Sequence, residues 1–272
     1  MIYIPDGLEE QAAVARTTHL AISAHQDDIE FMAYAPIAEC FGSSGKWFGA
    51  VVVTDGAGSP RSGIYADYTD EEMKKVRVVE QKKAAFLGEY SFLALLGYPS
   101  REVKAGERAV VEELASLIRR AKPKYLYTHN LADKHETHVA TALRVIAALR
   151  LLKPEERPEK VFGCEVWRDL DWLSDNEKIY LDCGAHPNLM RALSAVFDSQ
   201  IAGGKRYDLA AEGRRLANAT FSASHACDTY SALNYAMDLT PLMDENVDIA
   251  DFITSAIERF KEQVKEGIRK FQ

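Results

Sequence analysis

The chain has 272 residues, a net charge of −8 from 33 Lys and Arg against 41 Asp and Glu, and 47% hydrophobic residues. That balance describes a globular protein and excludes a uniformly disordered one. The acidic surplus argues against a dedicated nucleic-acid binder, and no stretch approaches the roughly 18 apolar residues of a membrane span. MIYIPDGLEEQ places charges where a signal peptide needs its apolar stretch, and Cys40, Cys164, Cys183 and Cys227 are too scattered for a zinc or redox pair. A cytoplasmic, reduced protein is therefore expected.

In chain order, four strand-like runs come first: HLAISA (19–24), WFGAVVV (47–53), FLALLG (92–97) and KYLYTH (124–129). Helical patterns separate them. Val110, Val111, Leu114, Leu117 and Ile118 fall on one helix face, and so do Val139, Ala142, Leu143, Ile146 and Leu149. Strands alternating with helices predict an α/β fold: a Rossmann-like, mostly parallel sheet flanked by helices, in a single domain over 1–272. Such sheets hold their ligands beyond the carboxyl ends of the strands. In the second half, VFGCEVW and KIYLDC read as strands, and 189–200 and 207–220 as helices. Ile249, Phe252, Ile253, Ala256, Ile257, Phe260 and Val264 mark a long amphipathic helix, a candidate for self-association into a homo-oligomer.

Two segments can carry chemistry, each at the carboxyl end of a predicted strand. Ala24-His25-Gln26-Asp27-Asp28-Ile29-Glu30 puts an imidazole and two carboxylates in one strand-to-helix turn. His25 and Asp28 can face a common ion while Asp27 meets its water. Asp27-x-x-Glu30 also fits a helix capping box. Thr128 to His138 then gathers three of the seven histidines and two acids in eleven residues. A third ligand from here would complete two histidines and a carboxylate, a set that leaves zinc an open position and also accepts iron(II). Thr137 is a candidate cap for the helix that follows.

AHQDDIE and DKHETH resemble the paired motifs of the PIG-L/LmbE-like zinc deacetylases. The likeness continues through Val53-Thr54-Asp55-Gly56, Arg77-Val78-Val79-Glu80 and Ala84-Ala85-Phe86-Leu87-Gly88, covering about the first 150 residues. The resemblance implies a metal-dependent hydrolase that removes an N-acetyl group from an amino-sugar conjugate. His25, Asp28 and His138 would be the zinc ligands and Asp27 the general base. His135 would face the carbonyl or the leaving amine, and Arg77 would contact substrate. An exposed ion pair with Glu80 is the plainer reading of Arg77. The chain departs from the pattern where His135-Glu136-Thr137-His138 replaces the common His-Pro-Asp-His, so that Glu136 or Asp133 must supply the missing acid. It departs again where Phe197-Asp198-Ser199-Gln200 has phenylalanine for a histidine, and where Phe31-Met32-Ala33-Tyr34 replaces a glycine-rich continuation. His129, His186 and His225 are expected to be structural.

The connection from Thr54 to Asp70 is long enough to serve as a lid or to be a plain surface loop. A small acetylated amino sugar is the expected partner, with no nucleic acid. Competing readings are an amidohydrolase for another small N-acyl substrate and a sugar-binding relative without turnover. A nucleotide-binding module ranks below them, since Asp27 and Asp28 would repel phosphate where that fold wants a glycine-rich turn.

Overall fold

A computed structural model describes residues 1–272. In its first half, β1 (Ile2–Tyr3) and α1 (Glu10–Ala15) lead into β2 (His19–Ser23), α2 (Asp28–Met32) and α3 (Tyr34–Cys40). There follow β3 (Phe48–Thr54), α4 (Asp70–Leu87), β4 (Phe92–Tyr98), α5 (Ser100–Ala105), α6 (Arg108–Ala121), β5 (Tyr125–His129) and α7 (Glu136–Arg150). The second half contains β6 (Lys160–Cys164), β7 (Lys178–Asp182), α8 (Pro187–Ala195), α9 (Asp198–Ile201), α10 (Tyr207–Phe221), β8 (Leu233–Asp238) and α11 (Ile249–Arg269).

All eight strands join one sheet in the order β1-β4-β3-β2-β5-β6-β8-β7. The five from β4 to β6 are parallel, whereas β1 and β8 run against their neighbours. The period-2 alternation of side chains fills an apolar layer on each face. Leu20, Ile22, Val51 and Val53 point to the layer covered by α6 and α7; Ala21, Ala50 and Val52 point to the other, with Ile37 and Ala84 of α3 and α4. The Rossmann-like architecture expected from the alternation is thus present. No helix is long and apolar enough to cross a membrane.

The winding positions the site. From β2 the chain adds β3 and β4 on one side, then returns to lay β5 on the other side of β2. That reversal opens a crevice beyond the carboxyl ends of β2 and β5. The turn 24–28 leaves one end and the segment 130–138 leaves the other.

The second half differs from expectation in two places. The helix read over 189–200 breaks at Val196–Phe197 into α8 and α9, because Phe197 turns inward and is fully buried. The strand β8 escapes the pattern because Asn234 interrupts its apolar run. Asn234 is nevertheless buried, its amide oxygen accepting from Arg215 and its nitrogen donating to Glu165. The connection between β3 and α4 is docked on α9: Tyr65 Oη donates to Asp198 Oδ2 at 2.7 Å and Ser62 Oγ to Ala202 O at 3.3 Å. Gly203 permits this approach, since a Cβ there would lie 2.0 Å from Ser199 O and 3.2 Å from Pro60 O. Gly203→Ala is expected to cost about 2 kcal/mol, read as a melting temperature lower by roughly 4–8 °C.

Candidate metal centre and cavity

His25 leaves β2 and bends back toward α2, where its backbone N–H donates to Asp28 Oδ2 at 2.7 Å. Its Nδ1 lies 3.2 Å from the same oxygen and 3.2 Å from His138 Nε2. His138 Nε2 in turn lies 3.3 Å from Asp28 Oδ1. Two segments separated by over a hundred residues thus bring His25, Asp28 and His138 to mutual spacings of 3.2–3.3 Å. Donors 2.0–2.1 Å from one tetrahedral zinc would stand roughly 3.3 Å apart, so the set fits such an ion.

The electrostatics fit it too. Burial pushes His138 down, but the Asp28 and Asp133 carboxylates outweigh it and lift the imidazole to about 9. Burial raises Asp28, yet His138 and His129 hold it well below the usual carboxylate range.

Of the two acids that could replace the missing one, Asp133 is the one that lies beside His138. Its Oδ2 lies 3.6 Å from His138 Nδ1, and it also accepts from the His135 and Trp167 backbone N–H groups. Glu136 instead points to solvent, 3.6 Å from Lys104. His129, expected to be structural, packs flat on His138 with ring centroids 3.9 Å apart and Nε2 3.5 Å from Asp28 Oδ2. Asp28, His129 and His138 thereby form one further possible ligand group, and His25, His135 and His138 form another. However, His129 Nε2 accepts the Ala24 N–H at 2.8 Å, which uses the lone pair an ion would need.

Asp27 adopts φ 87°, uncommon for a residue with a side chain, and makes no side-chain cap bond, so the capping-box alternative is not realised. One face of α4 clamps it. Gln81 Oε1 accepts the Asp27 N–H at 3.0 Å, and Arg77 Nη2 donates to Asp27 Oδ2 at 3.0 Å. Asp27 Oδ1 has no protein partner and the residue lines the cavity. Burial and the Asp28 charge push the Asp27 carboxyl up, Arg77 pulls it back, and it settles at about 7. Arg77 also lines the cavity, but it is 1% exposed and donates to Gln26 O, Glu80 and Ser199 as well. The ion pair with Glu80 is present, and it is buried rather than exposed.

His135, not Thr137, caps α7: its Nδ1 accepts the Thr137 N–H at 3.3 Å. Burial lowers the ring to about 4, with the His25 and His138 charges adding to the effect. The neutral ring carries its proton on Nε2.

Behind the turn, Gln81 Nε2 and Tyr90 Oη donate to Glu30 Oε1 at 2.8 and 2.7 Å. Burial lifts Glu30 to about 8 despite these bonds. A raised carboxyl contributes stability below its unfolded value and loses it as pH rises through the folded value. The metal-free Glu30→Gln variant should therefore melt with wild type at pH 5 and roughly 5 °C higher at pH 9, as differential scanning calorimetry would show.

The cavity in front of these groups measures 340 Å³. Its far wall comes from the second half of the chain: Glu165, Trp167, Gln200, Tyr207, Arg214 and Asn234, joined by Phe31 from α2. Sequence reasoning passed over Glu165 and Trp167, although their position just past the end of β6 was the signal that marked the other two segments. Phe197 is not in the wall; its ring packs on Phe31 with the Arg77 guanidinium 5.6 Å from its centroid.

Residues 20–149 match the family model described as PIG-L, GlcNAc-PI de-N-acetylase. No curated protein matches the chain by sequence. Among solved structures, N,N'-diacetylchitobiose deacetylase from Pyrococcus horikoshii is 14% identical, with TM-score 0.65 over 87% of this chain and 88% of that one. GalB, the 4-carboxy-2-hydroxymuconate hydratase of Pseudomonas putida, is 18% identical, with TM-score 0.64 over 85% and 100%. A conserved protein of Thermus thermophilus is 18% identical, with TM-score 0.63 over 82% and 94%. At these identities the structures share the fold with this chain. The family match spans residues 20–149, and over that segment, which holds both His/Asp motifs, the chain is similar to the PIG-L family.

Proposed function

We propose that the protein is a zinc-dependent hydrolase that removes the N-acetyl group from an amino-sugar conjugate, yielding acetate and a free amine. The observation that carries this reading is the convergence of His25, Asp28 and His138 donors at 3.2–3.3 Å beside the unpartnered Asp27 Oδ1, inside a cavity large enough for a sugar. The deacetylase among the similar structures and the family description point to the same chemistry.

His25 Nδ1, Asp28 and His138 Nε2 would hold the ion, which when bound acidifies water to a pKa near 7 and polarises the acetamide carbonyl. Asp27 Oδ1 accepts a proton from the attacking water and is placed to return it to the departing nitrogen. Arg77 fixes the other carboxylate oxygen, so the base presents a single edge to the cavity. His135 donates its Nε2–H to the oxygen on which negative charge develops, a role suited to a ring that burial keeps neutral. Arg77 is read as positioning Asp27 rather than as touching substrate.

Elemental analysis of protein purified without added metal or chelator, followed by acetate release from N-acetylglucosamine and N,N'-diacetylchitobiose, tests the proposal. About one zinc or iron per chain and stoichiometric acetate are expected. A protein that neither carries nor takes up zinc would sink it. A metal-loaded protein that releases no acetate but hydrates an unsaturated tricarboxylic acid would move the reading toward the chemistry named for the Pseudomonas putida protein.

A further inference from the structure

We propose that Trp167 is the platform of a saccharide subsite, receiving the apolar C–H face of a pyranose ring beside the metal centre. The claim concerns binding; its place next to the scissile amide rests on the deacetylase reading above.

Trp167 combines a fixed backbone with a free side chain. Its N–H donates to Asp133 Oδ2 at 3.1 Å, its carbonyl accepts from Arg214 Nη2 at 3.5 Å, and Arg214 Nη1 also holds the Val166 carbonyl. The side chain is 36% exposed at the cavity, and its indole N–H has no protein acceptor. It does not stand alone, as a scattered surface residue would. The Tyr207 ring meets it edge-on at 5.9 Å, the His135 ring lies 6.0 Å away, and Phe31 lines the same cavity. The oxygen that anchors its backbone is the one 3.6 Å from His138 Nδ1. Through Asp133, the platform is set in register with the proposed ligand histidine.

The chemistry around the indole selects the ligand class. A pyranose offers an apolar face ringed by hydroxyls, and aromatic surface edged by polar groups complements it. Glu165 and Asn234 supply that edge from the end of β6 and from β8, while Lys205 stands over one indole face with its ammonium 5.1 Å from the centroid, so the pyranose would take the opposite face. A phosphate in the cavity would meet Asp27, Asp28 and Glu165.

Fluorescence titration and calorimetry of the zinc-loaded full chain with N,N'-diacetylchitobiose test the subsite without requiring turnover. Wild type should show sugar-dependent quenching. Trp167→Ala should lose the quenching, since only Trp47 and Trp172 remain, and bind about tenfold more weakly, while Trp167→Phe stays within about threefold. Affinity for acyclic N-acetylethanolamine should be the same in all three proteins. Overlaid circular dichroism melts exclude unfolding as the cause. The proposal is overturned if wild type binds no saccharide, if Trp167→Ala binds it as wild type does, or if Trp167→Ala weakens the acyclic amide equally. Trp167-dependent binding without acetate release would instead retain the subsite and remove the deacetylase reading.

Discussion

Asp27→Asn is expected to lower turnover about a thousandfold while leaving close to one equivalent of metal bound, measured by acetate release and elemental analysis of the same sample. Asparagine keeps the shape of the side chain and can still accept from Arg77, but it cannot take a proton at the position of Oδ1. The ligand set is untouched, because Asp27 contributes none of the three converging donors. Stability supplies the control. Burial has raised the Asp27 carboxyl to about 7, so its contribution is largest below the unfolded value near 3.8 and is lost as pH rises through 7. The metal-free variant should therefore melt no lower than wild type at pH 8, and a fall in activity there cannot be ascribed to unfolding. Arg77 supplies a second readout. Its charge lowers the Asp27 carboxyl, so Arg77→Lys, whose single ammonium cannot hold Asp27 and Glu80 as the two arms of the guanidinium do, should move the acid limb of kcat/KM to higher pH. An unmoved limb, or an Asp27→Asn enzyme with full activity, would remove Asp27 from the role of base.

The second large effect concerns the ion itself. His138→Ala should abolish zinc binding, because it deletes the donor that both His25 and Asp28 face. Asp133→Asn should weaken zinc affinity by about 10–100-fold, the usual consequence of removing a carboxylate behind a ligating histidine. Glu136→Gln should change it by less than about twofold, since Glu136 faces solvent beside Lys104 and a surface ion pair contributes little. Competition against a chromogenic chelator ranks all three. If Glu136→Gln weakens binding and Asp133→Asn does not, the assignment of the supporting acid is reversed. If His138→Ala still binds zinc tightly, Asp28 and His129 become the group to examine.

Much of this site is legible in the sequence because it is built from short segments that follow the carboxyl ends of strands. Strand ends mark the crevice, and HQDD and HETH sit on two of them. Local spacing alone could not choose between Asp133 and Glu136. Both lie within five residues of His138, and the outcome depends on the turn after β5, which buries one and exposes the other. Arg77 was ambiguous for a related reason: Glu80 lies one helical turn away, and only the packing of α4 against the 24–28 turn shows that the same guanidinium also holds Asp27.

The far wall was the least readable part. Glu165, Trp167, Tyr207, Arg214 and Asn234 come from three separate stretches, of which only Tyr207 and Arg214 share a helix face, and β8 carries a polar residue that hides its period. By itself, then, the sequence determined the alternating α/β architecture, the two segments that carry the metal chemistry and the residue types within them. These follow from periodicities and side-chain chemistry that act over a few residues. Only the tertiary structure decided which carboxylate supports His138, that Arg77 is committed to Asp27 and Glu80, and which side chains close the cavity. Those outcomes depend on burial and on contacts between residues far apart in the chain, and local spacing carries no record of either.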